Sequence, residues 1–302
     1  MPYTGRMPPM TVVVRVPATS ANLGPGFDCL GVALDWTALI RIRIAHSPLP
    51  APDGPVAHMA VTAALALYHR AAVKPPAGIT AEYVGDIPVG RGLGLSAAAR
   101  VAGLLAANVL LDGGHSPDTL LQIAVQLEGH GDNAVPAMLG GLQIVVNDED
   151  RLEHLGVEPP ADLRLALLIP EFSMPTQESR RALPERLTRN QAVHNIGRAA
   201  MLVTAIQQRR YDLLRLATED VLHQPARATI FPPMFQIFQA ARDAGALGVY
   251  LSGGGSTIAA FATERLDDVA GAMHEAAAAH GYQAETRTCA LSTAGAELVS
   301  EE

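Results

Sequence analysis

The chain carries a single lysine, Lys74, among its 22 basic residues, and that lysine stands in no phosphate-loop motif. Loops of the Walker A type use a lysine near their end to reach a nucleotide's outer phosphates, so that solution is excluded. Cysteine is almost as scarce. Cys29 and Cys289 are too few for a disulfide framework, and neither has a C-x-x-C or zinc-like spacing, so two buried or half-buried thiols are expected. Runs of lysine and arginine are absent and the formal net charge is -8, which argues against an extended nucleic-acid surface. Also missing is any stretch of roughly 18 uninterrupted apolar residues, the length a membrane span requires. The Ala/Leu-rich segment 96–111 is shorter and is interrupted by Arg100 and Asn108. Residues Met1 to Met10 contain no apolar core of the signal-peptide kind. A cytoplasmic location is therefore expected, with Met10 as an alternative start.

What is present suits a compact globular protein. At 302 residues, with 49% apolar and 17% charged side chains, the chain can bury a large core in one or two domains. Composition turns polar over Asn147–Pro160, which suggests a junction and two domains, 1–150 and 151–302. Strands are expected at 12–16, 33–44, 79–84 and 142–146, with a Gly-rich loop at 18–31. Helices are expected over 56–72, from Ser96 to Leu110, and from Ser116 or Asp118 to Glu128. Past the junction, strands at 163–169, 247–251, 257–261 and 282–288 alternate with helices at 188–208, 211–222, 234–244 and 266–280. That order suits a two-layer α/β domain of the split βαβ kind.

The most informative stretch is Pro88–Ala99, with glycines at 90, 92 and 94, then Ser96, then an Ala-rich helical pattern. Glycines let backbone N–H groups converge, and a helix start adds unpaired N–H groups at the same point. The alternative is a tight connection, but continuation into a helix favours a phosphate cradle. Without lysine, a nucleotide's charge must be met by backbone dipoles, arginines and a metal ion. Arg91 either assists with that charge or faces solvent. Glu128 closes an apolar helical run just before Gly129, where a carboxylate opposes the helix dipole unless a cation compensates it. Asp28, His130 and Asp132 supply polar chemistry nearby. The aspartates suit an ammonium group or act as Asx-turn residues. His130 either orients a substrate or holds Asp132. These features point to a small-molecule kinase.

Four segments together resemble the GHMP kinases, and within them the homoserine kinases. They are Pro17–Asp28, Pro88–Ala99, Glu128–Asn133 with Pro136, and Leu251–Thr257. The likeness continues through Thr176–Arg180 and the helix beginning near Asn190. It implies an α/β (α+β) GHMP kinase-like fold of two domains. The first would be like ribosomal protein S5 domain 2, with a left-handed βαβ unit, and the second ferredoxin-like, with the site in the cleft between them. It further implies ATP-dependent phosphorylation of the L-homoserine hydroxyl in threonine biosynthesis, with Mg²⁺ as cofactor and a possible homodimer.

Carried onto this chain, the resemblance assigns ATP to Pro88, Val89, Gly90, Arg91, Gly92, Leu93, Gly94, Leu95, Ser96, Ala97 and Ala98, closed by Gly253, Gly254 and Gly255. Glu128 and Ser96 become the Mg²⁺ ligands, and Asn22 lines the pocket near the reacting hydroxyl. Arg180 and Arg227 become the carboxylate partners, which suits arginine's planar fork. Thr176 either caps the helix beneath Arg180 or touches substrate, with Ser179 and Arg181 as weaker choices. Asp28, His130 and Asp132 complete the substrate pocket, and Asp132 is the candidate base. Three departures stand out: Leu95 where relatives carry Ser, Ser256 where they carry Pro, and His58-Met59 where an Asn often touches adenine. Losing the proline would loosen the Gly253–Gly255 loop. The rival readings are a related kinase for another small alcohol and a non-catalytic nucleotide or metabolite binder.

Overall fold

The computed structural model describes residues 10–148 and 151–301. The expectations about a leader and an alternative start concern residues 1–9, which lie outside the described residues. The chain opens as a long antiparallel pair, β1 (Met10–Ala21) and β2 (Leu30–Ala45), so the loop expected from residue 18 begins only after Ala21. In β2 the alternation follows the sequence: Ile40 and Ile42 are fully buried while Arg41 and Arg43 face outward. Next come α1 (Gly54–Arg70), β3 (Gly78–Val84), α2 (Leu95–Leu110), α3 (Pro117–Glu128), α4 (Ala134–Leu139) and β4 (Leu142–Asp148). Ser116 caps α3 by accepting from the Thr119 N–H, and Gly129 ends it at a φ of 85°. That turn aims the residues after Glu128 back toward β1.

The polar stretch expected as a junction is largely a strand. β5 (Arg151–Val157) folds back onto β4, and its half-buried and exposed positions alternate as befits a sheet edge. The remaining elements are β6 (Arg164–Pro170), α5 (Thr176–Arg181), α6 (Arg189–Gln207), α7 (Leu214–Ala217), α8 (Gln224–Arg227), α9 (Met234–Asp243), β7 (Gly248–Leu251), β8 (Ile258–Ala262), α10 (Leu266–Ala279), β9 (Ala284–Ala290) and β10 (Glu297–Glu301). The helix expected over 211–222 is instead a short 3₁₀ turn at Tyr211–Leu213 followed by α7. Thr218 folds its hydroxyl back onto the Leu214 carbonyl, and Asp220 accepts from the N–H groups of Leu222, His223 and Gln224. Those side-chain bonds end one helix and start the next.

Two antiparallel sheets result. The first is six-stranded in the order β10-β1-β2-β4-β5, with β3 also on β2, and the second is four-stranded in the order β7-β8-β6-β9. The second has the split βαβ order expected. Both β5 and β10 belong to the first sheet, so sheet membership does not change at residue 150. Central strand β6 is buried on both faces, which accounts for its unbroken apolar run. Leu165, Leu167 and Ile169 join the large core shared with α1–α3, while Ala166 and Leu168 face a smaller core with Phe231, Ile237 and Phe238.

Candidate active site

A cavity of about 220 Å³ opens where three loops meet at the start of α2. The Gly-rich loop before α2 is clamped between the end of β1 and the turn that joins β7 to β8. Thr19 donates its N–H to Leu93 O at 3.1 Å, Thr257 donates to Arg91 O at 3.1 Å, and the Ser252 hydroxyl donates to Gly92 O at 2.7 Å. The outer loops join each other through Gly253 N–H to Ala21 O at 3.0 Å and Asn22 Nδ2 to Gly253 O at 2.8 Å. Glycine is required inside this clamp. Gly94 sits at φ 66°, and a Cβ there would lie 1.7 Å from Thr19 Oγ1; one on Gly92 would lie 2.1 Å from Ser252 O. Gly94 starts α2 without any side-chain cap, and the first helical bond is Ala98 N–H to Gly94 O. The N–H groups of Leu95, Ser96 and Ala97 therefore have no intrahelical acceptor, leaving a donor cluster at the positive end of the helix dipole. Leu95 costs little here: its side chain is buried in the core while its N–H stays in that cluster.

Beside the cluster, Ser96 Oγ donates to Glu128 Oε1 at 2.6 Å, and Arg100, one turn along α2, pairs with the same oxygen. No hydrogen bond reaches Glu128 Oε2 among the described residues. A hydroxyl and a carboxylate oxygen at the anion-binding end of a helix are hard donors of the kind Mg²⁺ takes. The residues fit that ion.

The opposite wall is built from charged side chains. Arg180 donates to both oxygens of Asp28, at 2.6 and 2.9 Å, and these hydrogen bonds raise the guanidinium's already high pKa. His130 Nδ1 bonds Asp132 Oδ1. Burial works against charge on that ring, but the bond to Asp132 and its charge outweigh it, so the His130 pKa is raised. Asn133 Nδ2 also reaches Asp132, while its Oδ1 accepts from Thr19. Arg227 is 2% exposed, and burial, reinforced by the Arg180 charge, brings its pKa down to about 10. It stays charged at neutral pH, yet no carboxylate pairs with it among the described residues, and its buried Nε has no partner. Its Nη1 donates to His223 Nδ1 at 2.8 Å and to Gly253 O at 2.9 Å. The Phe27 ring lies 5.2 Å from the Arg180 Cζ and 5.5 Å from that of Arg227.

Of the residues singled out in the sequence, Asn22, Asp28, Pro88, Val89, Gly90, Gly92, Leu93, Gly94, Leu95, Ser96, Glu128, His130, Asp132, Arg180, Arg227, Gly253 and Gly254 line this cavity. Arg91 does not; its guanidinium turns to the Glu171 carbonyl. Ala97 and Ala98 are buried behind the wall, and Gly255 sits in the turn below, donating to Ser252 O. Thr176 is the first residue of α5 after Pro175 at the N-cap, so it does not cap that helix; its side chain lies outside those described. Ser179 bonds Gly254 O at 2.9 Å rather than facing a substrate. Against the loosening expected from the missing proline stands a bond that proline could not make: the fully buried Ser256 hydroxyl donates to Phe172 O at 2.6 Å. Met59 lines the cavity, whereas His58 is exposed and bonds Gly54 O. Cys29 is exposed, contrary to expectation, while Cys289 is buried. Sequence reasoning missed Asn133, Phe27 and His223, although each stands within a few residues of one it named.

Comparison with known proteins places these observations. A model described as "GHMP kinases N terminal domain" matches residues 58–141, and one described as "GHMP kinases C terminal" matches 202–279. A protein named homoserine kinase from Moorella thermoacetica is 39% identical over 298 residues, covering 95% of this chain and 99% of that one. Another of that name from Desulfitobacterium hafniense is 37% identical over 297 residues, with coverage of 95% and 100%. Among solved structures, a homoserine kinase from Cytophaga hutchinsonii superposes with a TM-score of 0.85 at 28% identity, covering 96% and 97% of the two chains.

Proposed function

The chain belongs to the GHMP kinases, and from that premise we propose how its cavity works. The enzyme moves the γ-phosphoryl group of ATP to the side-chain hydroxyl of L-homoserine, giving O-phospho-L-homoserine and ADP in amino-acid biosynthesis. One observation carries the residue-level reading: a single cavity sets an uncapped helix N-terminus opposite two arginines and two aspartates.

At the helix end, the N–H groups of Leu95, Ser96 and Ala97 and the loop 88–94 hold the phosphates, with Gly253 and Gly254 closing over them. Glu128 and Ser96 hold the Mg²⁺, which supplies charge neutralisation at the transferring group. At the other end, Arg227 takes the substrate carboxylate with Arg180 beside it, and Asp28 and Asp132 face the ammonium. His130 holds Asp132. Asn22 spends its donor on Gly253 O and its acceptor on Asp28 N–H, so it braces the loops around the reacting hydroxyl. No protein base is assigned. Asp132 Oδ1 is engaged by His130 and Asn133, and in-line transfer rests on positioning and charge stabilisation.

The division into domains 1–150 and 151–302 stays part of this reading, with β5 and β10 completing the first sheet. No described helix is long and apolar enough to cross a membrane, in keeping with the proposed cytoplasmic location. A homodimer is supported by family likeness alone, and light scattering tests it. The activity is tested by ADP release with L-homoserine, L-serine, L-threonine and 3-aminopropan-1-ol. Magnesium-dependent release that prefers L-homoserine is expected. Equal rates with every alcohol would favour the broader-kinase reading, and nucleotide binding without turnover the binder.

A further inference from the structure

Arg227 is a buried cation with no carboxylate in direct contact among the described residues, although the charges of Asp28, Asp220 and Asp132 favour it from further off, so what fixes its orientation decides what it can bind. Among the described residues its guanidinium has two hydrogen-bond partners, Gly253 O and His223, the N-cap residue of α8, four residues earlier and on the same helical face. The imidazole is wholly buried, and its protonation is legible from geometry. Nε2 lies 2.7 Å from the Gly24 carbonyl oxygen, which can only accept, so Nε2 carries the hydrogen. Nδ1 lies 2.8 Å from Arg227 Nη1, which can only donate, so Nδ1 carries the lone pair. A protonated ring would set N–H against N–H. Burial pushes the His223 pKa down to about 4, in keeping with a neutral ring.

The histidine is itself held in place. Asp220 accepts from three successive backbone N–H groups, His223 among them, and the ring packs 5.6 Å from Phe27, which lies against both guanidiniums. Because Gly24 stands in the loop that carries Asp28, the imidazole ties the ammonium side of the pocket to the carboxylate side. We propose that His223 is the positioning residue for Arg227: its neutral Nε2–H tautomer, through the Nδ1 lone pair, aims the guanidinium at the carboxylate of an amino-acid substrate. This rests on the reading that Arg227 receives that carboxylate.

Kinetics on the intact enzyme test it with Arg227→Ala, His223→Leu, His223→Asn and His223→Gln. Asparagine keeps an acceptor near the Nδ1 position, whereas glutamine reaches toward Gly24 and leaves Arg227 without one. His223→Leu and His223→Gln should raise the KM for L-homoserine about tenfold, the scale of one hydrogen bond to a charged group, with the KM for ATP within about twofold. His223→Asn should recover most of the loss. If His223→Leu fails to fold, the Asn and Gln variants still decide the matter. Equal KM values for those two, or equal rises for homoserine and ATP, would overturn the positioning role. If Arg227→Ala raises the homoserine KM while His223→Leu and His223→Gln do not, this inference falls and the assignment of Arg227 stands. If Arg227→Ala leaves that KM unchanged, the assignment itself fails and the inference with it.

Discussion

At the α2 end of the cavity, negative charge is, on the proposed reading, met by backbone, through an uncapped helix start and glycines where side chains would collide, and the one carboxylate there, shared between Ser96 and Arg100, would serve the accompanying cation. At the far end it is met by side chains, and most of these already neutralise one another. Asp28 is paired with Arg180 and Asp132 with His130, which leaves Arg227 as the cation without a contacting carboxylate among the described residues. On the proposed assignment, the difference follows from the two ligands. A triphosphate presents many equivalent oxygens, which converging amides suit without regard to side-chain identity. An amino acid presents one charge of each sign at fixed separation, and only placed side chains distinguish it from a simple alcohol.

The sharpest way to break this comparison is at Glu128. Glu128→Gln should lower turnover on the order of 10² to 10³-fold, the scale for losing one preorganised charge-stabilising group, and weaken Mg·ADP binding measured by calorimetry. Unchanged turnover at limiting Mg²⁺ would contradict the assignment. Next comes the backbone itself. Gly94→Ala meets Thr19 Oγ1 at a positive φ, so it should destabilise the fold by about 3 kcal/mol and weaken ATP binding more than homoserine binding. A wild-type denaturation midpoint would mean that the clamp is not rigid.

At the other end the comparison is sharpened by acid. An ordinary histidine titrates near 6.5, whereas burial holds His223 down to about 4 despite Asp220 nearby. Below about pH 6.5 the unfolded chain takes a proton that the folded one refuses. Stability contributed by this group is therefore intact above that pH and is lost as pH falls toward about 4. Denaturation midpoints for wild type and His223→Asn across this window check it: the variant's acid limb should be shallower, and an identical limb would contradict the assignment. The smallest effect is expected at Ser256→Ala, about 1 kcal/mol for the bond to Phe172 O, read as a lower midpoint with little change in KM for homoserine.

Much of the loop and helix start proposed to hold the nucleotide was legible in the sequence, because glycine spacing and a following helical pattern are local signals with a direct backbone meaning. The strands with clean alternation, β2 above all, were legible for the same reason. What stayed hidden was set by partners distant in sequence. Asp28 and Arg180 were each assigned to substrate, yet they stand 152 residues apart and bind each other. Ser256 read as a loosening change because the Phe172 carbonyl it reaches lies 84 residues away. β5 read as a linker because an edge strand needs few apolar residues, and β10 went unmarked because its partner β1 is at the other end of the chain. The i, i+4 pair His223 and Arg227 was in plain view, but nothing local said that α8 is buried.

A crystal structure with L-homoserine and a non-hydrolysable ATP analogue bound together is the most direct measurement. The account predicts triphosphate oxygens within hydrogen-bonding distance of the amides of residues 90–97, and the amino-acid carboxylate on the guanidinium of Arg227. Phosphates seated away from the start of α2, or a carboxylate remote from Arg227, would contradict it.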